Sequence, residues 1–403
     1  MSRVVCPYCY HKINGWRLSY VCTGRGSPGR AGCQPARDPV RENEAGYTGE
    51  SMYVFHPSPY LPIAPRTGTC DRCGARSAQR ACPVCHSPLS ADFGRTRSPL
   101  IAFLGATGTG KTVFLTVLTL EAATNIRRRF DAAVEIISAA GTMNIEQVLN
   151  GGLFQATPRA VDGRVAPVVV EWRHRARGVR RLFGKFTTTY LSFLDTAGED
   201  LQTHDRVREL RYLAAADAYV LLLDPFMIPN ARQQIQLPSA AVKATEPTLA
   251  VVQRVTRVLR EAPDATLADR IGIKFQNEEV IKKPVAVAFA KMDAFFDLLG
   301  PDHPIRQAPR PGRYYDEVAG QQTHRFVQSL LHAWGGDEID GWLRNYYQRF
   351  RYFAVSALGR PPDYTRDPTA QPIDPRGIAP FRVDEPLLWL MSEFGLIPKR
   401  TRP

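Results

Sequence analysis

The chain has 403 residues, 52 Lys+Arg against 39 Asp+Glu and a formal charge of +13, with 32 Pro, 30 Gly and 8 Cys. At roughly 150 residues per domain this length predicts two to three domains, and 44% hydrophobic with 23% charged residues excludes a wholly disordered or collagen-like chain. Lys111 and Asp224 interrupt the most apolar stretches well short of the about 18 residues of a membrane span. The start, Met-Ser-Arg-Val-Val-Cys-Pro, shows no apolar signal region, so a cytoplasmic protein without a membrane span is expected.

All eight cysteines precede residue 86, and six form Cys-x-x-Cys pairs: Cys6 with Cys9, Cys70 with Cys73, Cys82 with Cys85. Cys22 and Cys33 stand between them. In a reducing compartment such pairs point to zinc rather than disulfides, because two thiolates two residues apart turn toward one tetrahedral ion. Two four-sulfur Zn²⁺ sites are expected. Either Cys70, Cys73, Cys82 and Cys85 close one site and Cys6, Cys9, Cys22 and Cys33 the other, or the sites interleave, with Cys6, Cys9, Cys82 and Cys85 in one ribbon. The spacing does not choose between them. Substitution of a thiolate by His11 or His86 is disfavoured. Residues 1–98 are thus expected to form a zinc-ribbon-like module in which metal supplies the folding energy that a small core lacks. The module carries 13 Lys+Arg against 6 Asp+Glu, which leaves docking of a nucleic acid or a protein as an additional role. Catalytic zinc is disfavoured, since four-sulfur sites keep no open position.

After Ser98 an apolar run, Leu100 to Leu104, enters Gly105-Ala106-Thr107-Gly108-Thr109-Gly110-Lys111-Thr112 and then an apolar helix from Val113 to Leu120. This is a complete G-x-x-x-x-G-K-[ST] loop between a strand and a helix. Its glycines let backbone N–H groups face phosphate oxygens, Lys111 would reach the β and γ phosphates, and Thr112 would ligate Mg²⁺. Arg127, Arg128 and Arg129 end this helix, where cations suit the dipole. Val168–Arg173 and Phe186–Leu194 predict a β-hairpin with a basic tip of Arg173, Arg175, Arg177, Arg180, Arg181 and Lys185. With only Trp172 and Phe183 interleaved, single-strand nucleic-acid stacking is not indicated.

The second hairpin strand ends in Asp195-Thr196-Ala197-Gly198-Glu199. Asp195 can hold Mg²⁺ through water, and Gly198 offers an N–H to the γ-phosphate. Asp205–Ala216 predicts a helix and Ala218–Leu223 a parallel strand buried on both faces. Residues 226–284 predict an insertion containing a helix over Leu249–Leu259, and 300–322 and 359–385 predict Pro-rich irregular loops. Val285–Ala290 and Tyr352–Val355 predict buried strands leading into Lys291-Met292-Asp293 and Ser356-Ala357-Leu358. Asp384 is expected to cap a terminal helix containing Leu387–Met391.

From the P-loop onward, Asp195 to Gly198, Lys291 to Asp293 and Ser356 to Leu358 follow in the order of the Ras-like and translation-factor GTPases, which residues 99–403 resemble. The resemblance implies an α/β fold: a mostly parallel P-loop GTPase sheet with flanking helices, following the small N-terminal zinc module. It implies GTP/GDP as ligand, with Asp293 accepting from guanine N1 and N2, Lys291 along the base and the Ala357 backbone at the guanine oxygen. A switch threonine closing over Mg²⁺ is also implied; Thr157 is expected to serve, with Thr142 the alternative. Two positions depart from the pattern. Ala290 replaces the Asn that ties the base loop to the P-loop, so a weakened guanine preference is expected, and Glu199 replaces the Gln that orients water, so slow, partner-activated hydrolysis is expected.

The cysteine-pair module followed by this series and a terminal Arg382-Val-x-x-Pro-Leu-Leu-Trp-Leu390 is similar to the second of the bacterial double-GTPase families. That resemblance implies a GTP-hydrolysing switch with a separate partner GTPase and an effector or activator in bacterial conflict or defence. Alternatives are a nucleotide-holding scaffold with little turnover, or a P-loop ATPase, which Asp293 disfavours.

Overall fold

The computed structural model describes residues 3–91, 93–95, 98–137, 167–175, 186–195, 212–235, 246–261, 280–307, 312–360 and 377–401. The chain separates into two compact units, the first holding residues up to Leu100 together with Glu171–Ser192, the second holding most of the remainder.

Up to residue 98, the first unit is built from very short strands. Arg3–Val5 pairs antiparallel with Lys12–Asn14, and a four-stranded sheet orders Pro88–Leu89, Arg80–Ala81, Ser19–Val21 and Val54–Phe55. Its helix, Pro39–Ala45, starts at Asp38, whose Oδ1 accepts from Val40 N and Arg41 N, and stops at Gly46 with φ +71°. The apolar interior is small, and the cysteines are part of it. Cys6, Cys9, Cys82 and Cys85 are buried with Ile13, Leu18 and Phe93, while Cys22, Cys70 and Cys73 are buried with Tyr20 and Phe55.

The second unit is an α/β domain. The strands of the chain's largest sheet are β1 (Leu100–Leu104), β2 (Ala133–Ile136), β3 (Val168–Arg175), β4 (Phe186–Asp195), β5 (Ala218–Leu223), β6 (Val285–Phe289) and β7 (Phe350–Ala354). They form one sheet in the order β2-β3-β4-β1-β5-β6-β7, which the second unit enters through Val168–Val170 and from Phe193 onward. β1, β5, β6 and β7 are parallel, with Leu104 opposite Leu221, Leu223 opposite Phe289 and Phe289 opposite Ala354. Every residue of β1, β5 and β6 is buried, as expected for strands covered on both faces. Phe103 packs on Phe114 and Phe193, with ring centroids 6.0 and 5.8 Å apart.

The second unit's longer helices are α1 (Lys111–Glu121), α2 (Thr248–Glu261), α3 (Glu317–Ala333), α4 (Asp337–Tyr346) and α5 (Glu385–Glu393). Three details differ from expectation. The loop predicted to run to 322 ends earlier, because Asp316 accepts from Ala319 N at 3.1 Å and starts α3 at Glu317. Asp384 precedes α5 but its side chain makes no capping bond; it faces Arg129 Nη1 at 3.5 Å instead. Arg129 also donates to Gly312 O and Tyr314 O, so the basic end of the P-loop helix packs against later segments rather than only countering a dipole.

Candidate functional site

Because β1, β5, β6 and β7 are parallel, the loops after them leave one edge of the sheet, where ligands of open α/β sheets bind. The loop after β1 is Gly105–Gly110. Gly105 has φ +151°, and a Cβ there would meet Leu222 O at 2.4 Å, so only glycine lets the turn pass the neighbouring strand. Thr109 Oγ1 donates to Ala106 O at 2.9 Å, closing the loop on itself. Gly108 and Gly110 take φ +80° and +88°, and α1 begins at Lys111. The Lys111 ammonium curls back over the loop and donates to Gly105 O (3.0 Å) and Ala106 O (2.8 Å). A loop of N–H groups, a buried lysine and a helix N-terminus is the donor set that a polyphosphate requires. Thr112 lies in the first turn of α1, and Asp195 is the last residue of β4. Thr157, its alternative Thr142, Gly198 and Glu199 lie outside the described residues.

Lys291 follows β6 with φ +55° and reaches sideways in two directions. Its Nζ donates to Gly108 O of the P-loop at 3.0 Å and to Asp224 Oδ2 at 2.6 Å, and it lies 5.2 Å from the Phe226 ring centroid. Asp224, at the end of β5, is 3% exposed; its Oδ1 accepts from Phe226 N, and its backbone carbonyl accepts from Thr248 Oγ1. Lys291 therefore ties the loop after β6 to the P-loop, with Asp224 as its anchor. Sequence reasoning used Asp224 only as a break in an apolar run. The available signal was a carboxylate ending a fully buried strand parallel to the P-loop strand.

Asp293 and Ser356 meet between the loops after β6 and β7. Ser356 Oγ donates to Asp293 Oδ1 at 2.5 Å and accepts from Gly359 N at 2.8 Å, while Met292 N donates to Val355 O. Burial pushes the Asp293 carboxyl above its ordinary value, opposed by the Ser356 hydrogen bond and the Lys291 charge. Ala357 is next to Ser356 in the same loop, partly exposed. The structure thus brings Gly105–Thr112, Lys291, Asp293, Ser356 and Ala357 to one edge of one sheet.

The cysteines form two groups, Cys6/Cys9/Cys82/Cys85 and Cys22/Cys33/Cys70/Cys73, with the sulfurs of each group within 4.8 Å of one another. The interleaved arrangement is therefore the one adopted. Each Cys-x-x-Cys pair has the same turn: Tyr10 N, Gly74 N and His86 N donate back to Cys6 O, Cys70 O and Cys82 O, and each donor residue has positive φ. Sulfur separations are 3.7 Å for Cys6–Cys85, 3.8 Å for Cys9–Cys82, 3.5 Å for Cys22–Cys73 and 3.9 Å for Cys33–Cys70. Tetrahedral Zn–S bonds of about 2.3 Å place sulfurs about 3.8 Å apart, so both groups fit zinc. His86 belongs to neither group; its Nδ1 pairs with Asp38 Oδ2 at 2.7 Å. Trp172, in β3, is 1% exposed and donates to His174 Nδ1, so it serves the core and no stacking platform.

No family model matches the chain. A Mycolicibacterium smegmatis protein named "Putative ESX-1 scaffolding and assembly protein SaeC" is 28% identical over 415 residues, 97% of this chain and 99% of that protein. Two of the solved structures that match do so at low similarity. The signal recognition particle receptor SRb-GTP/SRX complex from Chaetomium thermophilum is 15% identical over 66% of this chain and 94% of its own, with a TM-score of 0.27. The S. cerevisiae Ski7 GTPase-like domain bound to GTP is 11% identical over 76% of this chain and 52% of its own, with a TM-score of 0.29. At these scores the α/β P-loop fold stands on its own strand order and loop geometry. Among the described residues no helix is long and apolar enough to cross a membrane.

Proposed function

We propose that the α/β domain binds a guanine nucleotide with Mg²⁺ and acts as a switch in a protein assembly, hydrolysing GTP slowly. One observation carries this reading: Lys291 joins the P-loop to the loop that presents Asp293, so phosphate recognition and base recognition form one connected unit. The P-loop N–H groups and Lys111 hold the phosphates. Asp293, kept in place by Ser356, accepts the paired guanine N–H donors, which adenine lacks; an unmatched buried carboxylate penalises the wrong base. Thr112, Thr157 and Asp195 are the residues that would hold Mg²⁺, which neutralises phosphate charge when bound. Glu199 and Gly198 remain the proposed water- and γ-phosphate-facing residues. The two cysteine groups would each hold Zn²⁺ and stabilise a module taken to span about residues 1–98, ahead of a nucleotide domain over 99–403.

A scaffold with little turnover is the second reading, favoured by the name of the Mycolicibacterium smegmatis relative. Under either reading the partners are proteins: an effector, an activator or a second GTPase, with the defence setting resting on the double-GTPase resemblance alone. Single-turnover assays with GTP and ATP, alone and with copurifying proteins, separate the two. GTP cleavage that exceeds ATP cleavage supports the switch; tight GTP binding with no cleavage under any condition supports the scaffold.

A further inference from the structure

The terminal Arg382–Leu390 motif has no part in the nucleotide site, yet its first residue is unusual. Arg382 adopts φ +53°, a left-handed backbone that non-glycine residues rarely occupy, and is 9% exposed. Its guanidinium is shared among three elements. Nε and Nη2 donate to the two carboxylate oxygens of Glu385 at 2.7 and 3.0 Å, Nη1 to Ile305 O at 2.7 Å, and Nη2 also to Thr323 Oγ1 at 2.5 Å. The fork therefore binds the start of α5, the segment after Asp293, and α3.

The residue before it, Phe381, is paired directly with the base loop. Ser356 N donates to Phe381 O at 3.0 Å and Phe381 N to Ser356 O at 2.8 Å. The Phe381 ring stands edge-on to Phe296, three residues after Asp293, with centroids 4.8 Å apart, and Arg306 Nη1 donates to the Phe296 carbonyl at 3.0 Å. A second tie lies two residues upstream: Ala379 N donates to Leu358 O, and Gly359, at φ +72°, passes so close that a Cβ would lie 1.7 Å from Ala379 O. Residues 379–382 thus form a strap across the loop that presents Ser356, and Ser356 in turn holds the Asp293 carboxylate.

We propose that Arg382 is a positioning residue for base selectivity: its buried fork fixes Phe381, and through the Phe381–Ser356 bridge fixes the Ser356–Asp293 pair. Arg382 touches no nucleotide. The strained backbone and the four side-chain bonds serve to hold one strand segment in register with the base loop, a task for which a planar, multidentate cation is suited and a lysine is not. This rests on Asp293 reading guanine as proposed above.

The test compares Arg382→Lys and Thr323→Val with the wild-type full chain, measuring affinities for GDP, ADP and pyrophosphate and the thermal midpoint. Pyrophosphate occupies the P-loop without engaging the base loop, so it separates local mispositioning from general loss of fold. Arg382→Lys is expected to lower the GDP-to-ADP affinity ratio by about tenfold, the scale of one charge-assisted bond, with pyrophosphate affinity unchanged. Thr323→Val, which removes one of the four contacts and perturbs folding least, is expected to lower the ratio by about threefold. An unchanged ratio in Thr323→Val, or parallel loss of GDP and pyrophosphate affinity in both variants, would overturn the proposal. Equal GDP and ADP binding by the wild-type protein would instead overturn the guanine reading beneath it.

Discussion

Lys291 spans two elements that must move together if phosphate and base are to be sensed jointly. Among the described residues Asp224 is the carboxylate at ion-pair distance from it, and it is buried. Asp224→Ala leaves a part-buried ammonium held by the Gly108 carbonyl alone. A cost of about 2 kcal/mol is expected, below that of breaking a fully buried pair because Lys291 keeps access to water. Urea denaturation and GDP titration of the variant measure the two consequences, and GDP affinity should fall with stability. At Asp293 selectivity is at stake. Asp293→Asn exchanges an acceptor for a donor, which matches the C2 carbonyl of xanthine, so the GDP-to-XDP affinity ratio should invert; a ratio that stays with GDP would remove Asp293 from base reading. Because burial raises the Asp293 carboxyl and guanine needs the carboxylate, GDP affinity should rise with pH from the ordinary carboxylate range toward neutrality. The sign for folding is opposite. A raised carboxyl stabilises the fold when protonated, and that contribution is lost as pH climbs through the raised value.

Among the elements, β7 and α3 meet at a titratable contact. His324 Nδ1 accepts from Tyr352 N at 3.1 Å, and the two rings stack with centroids 5.1 Å apart. Burial, joined by the Arg351 charge, holds this imidazole down to about 4 from 6.5. A depressed value means that the neutral form stabilises the fold. The contribution is present above about 6.5 and is lost as pH falls toward about 4, worth at most about 3 kcal/mol. Denaturation midpoints across that window should fall in the wild-type chain and flatten in His324→Gln. The strands at this scale were legible because the parallel core imposes continuous apolar runs: Ala218–Leu223 coincides with its predicted span and Val285–Phe289 differs by one residue. The start of α3 was hidden because its Asp316 cap lies directly after a Pro- and Gly-rich stretch. Lys291, Asp293 and Ser356 were visible as motif positions, whereas Asp224, Phe381 and Arg382 gain their roles only from contacts across 67, 25 and 77 residues of chain.

For the molecule as a whole, the cysteine groups and the P-loop belong to separate units, and the proposed zinc and nucleotide sites each have their own test. The first unit has little apolar interior apart from its cysteine groups, so metal analysis of the purified chain should give two zinc ions, and chelation should unfold that unit. One zinc or none would contradict the paired sites. Cysteine positions were plain in sequence, but their pairing was not, since the interleaved grouping depends on Cys6 meeting Cys85 across 79 residues. The nucleotide claim is central and is tested most directly by calorimetric titration of the full chain with GDP, GTP, ADP and ATP in Mg²⁺, alongside Lys111→Ala. Both guanine nucleotides are expected to bind at least about tenfold more tightly than their adenine counterparts, and Lys111→Ala is expected to weaken GTP binding by about a hundredfold. Equal affinity for GTP and ATP, or GTP binding indifferent to Lys111→Ala, would contradict the nucleotide claim.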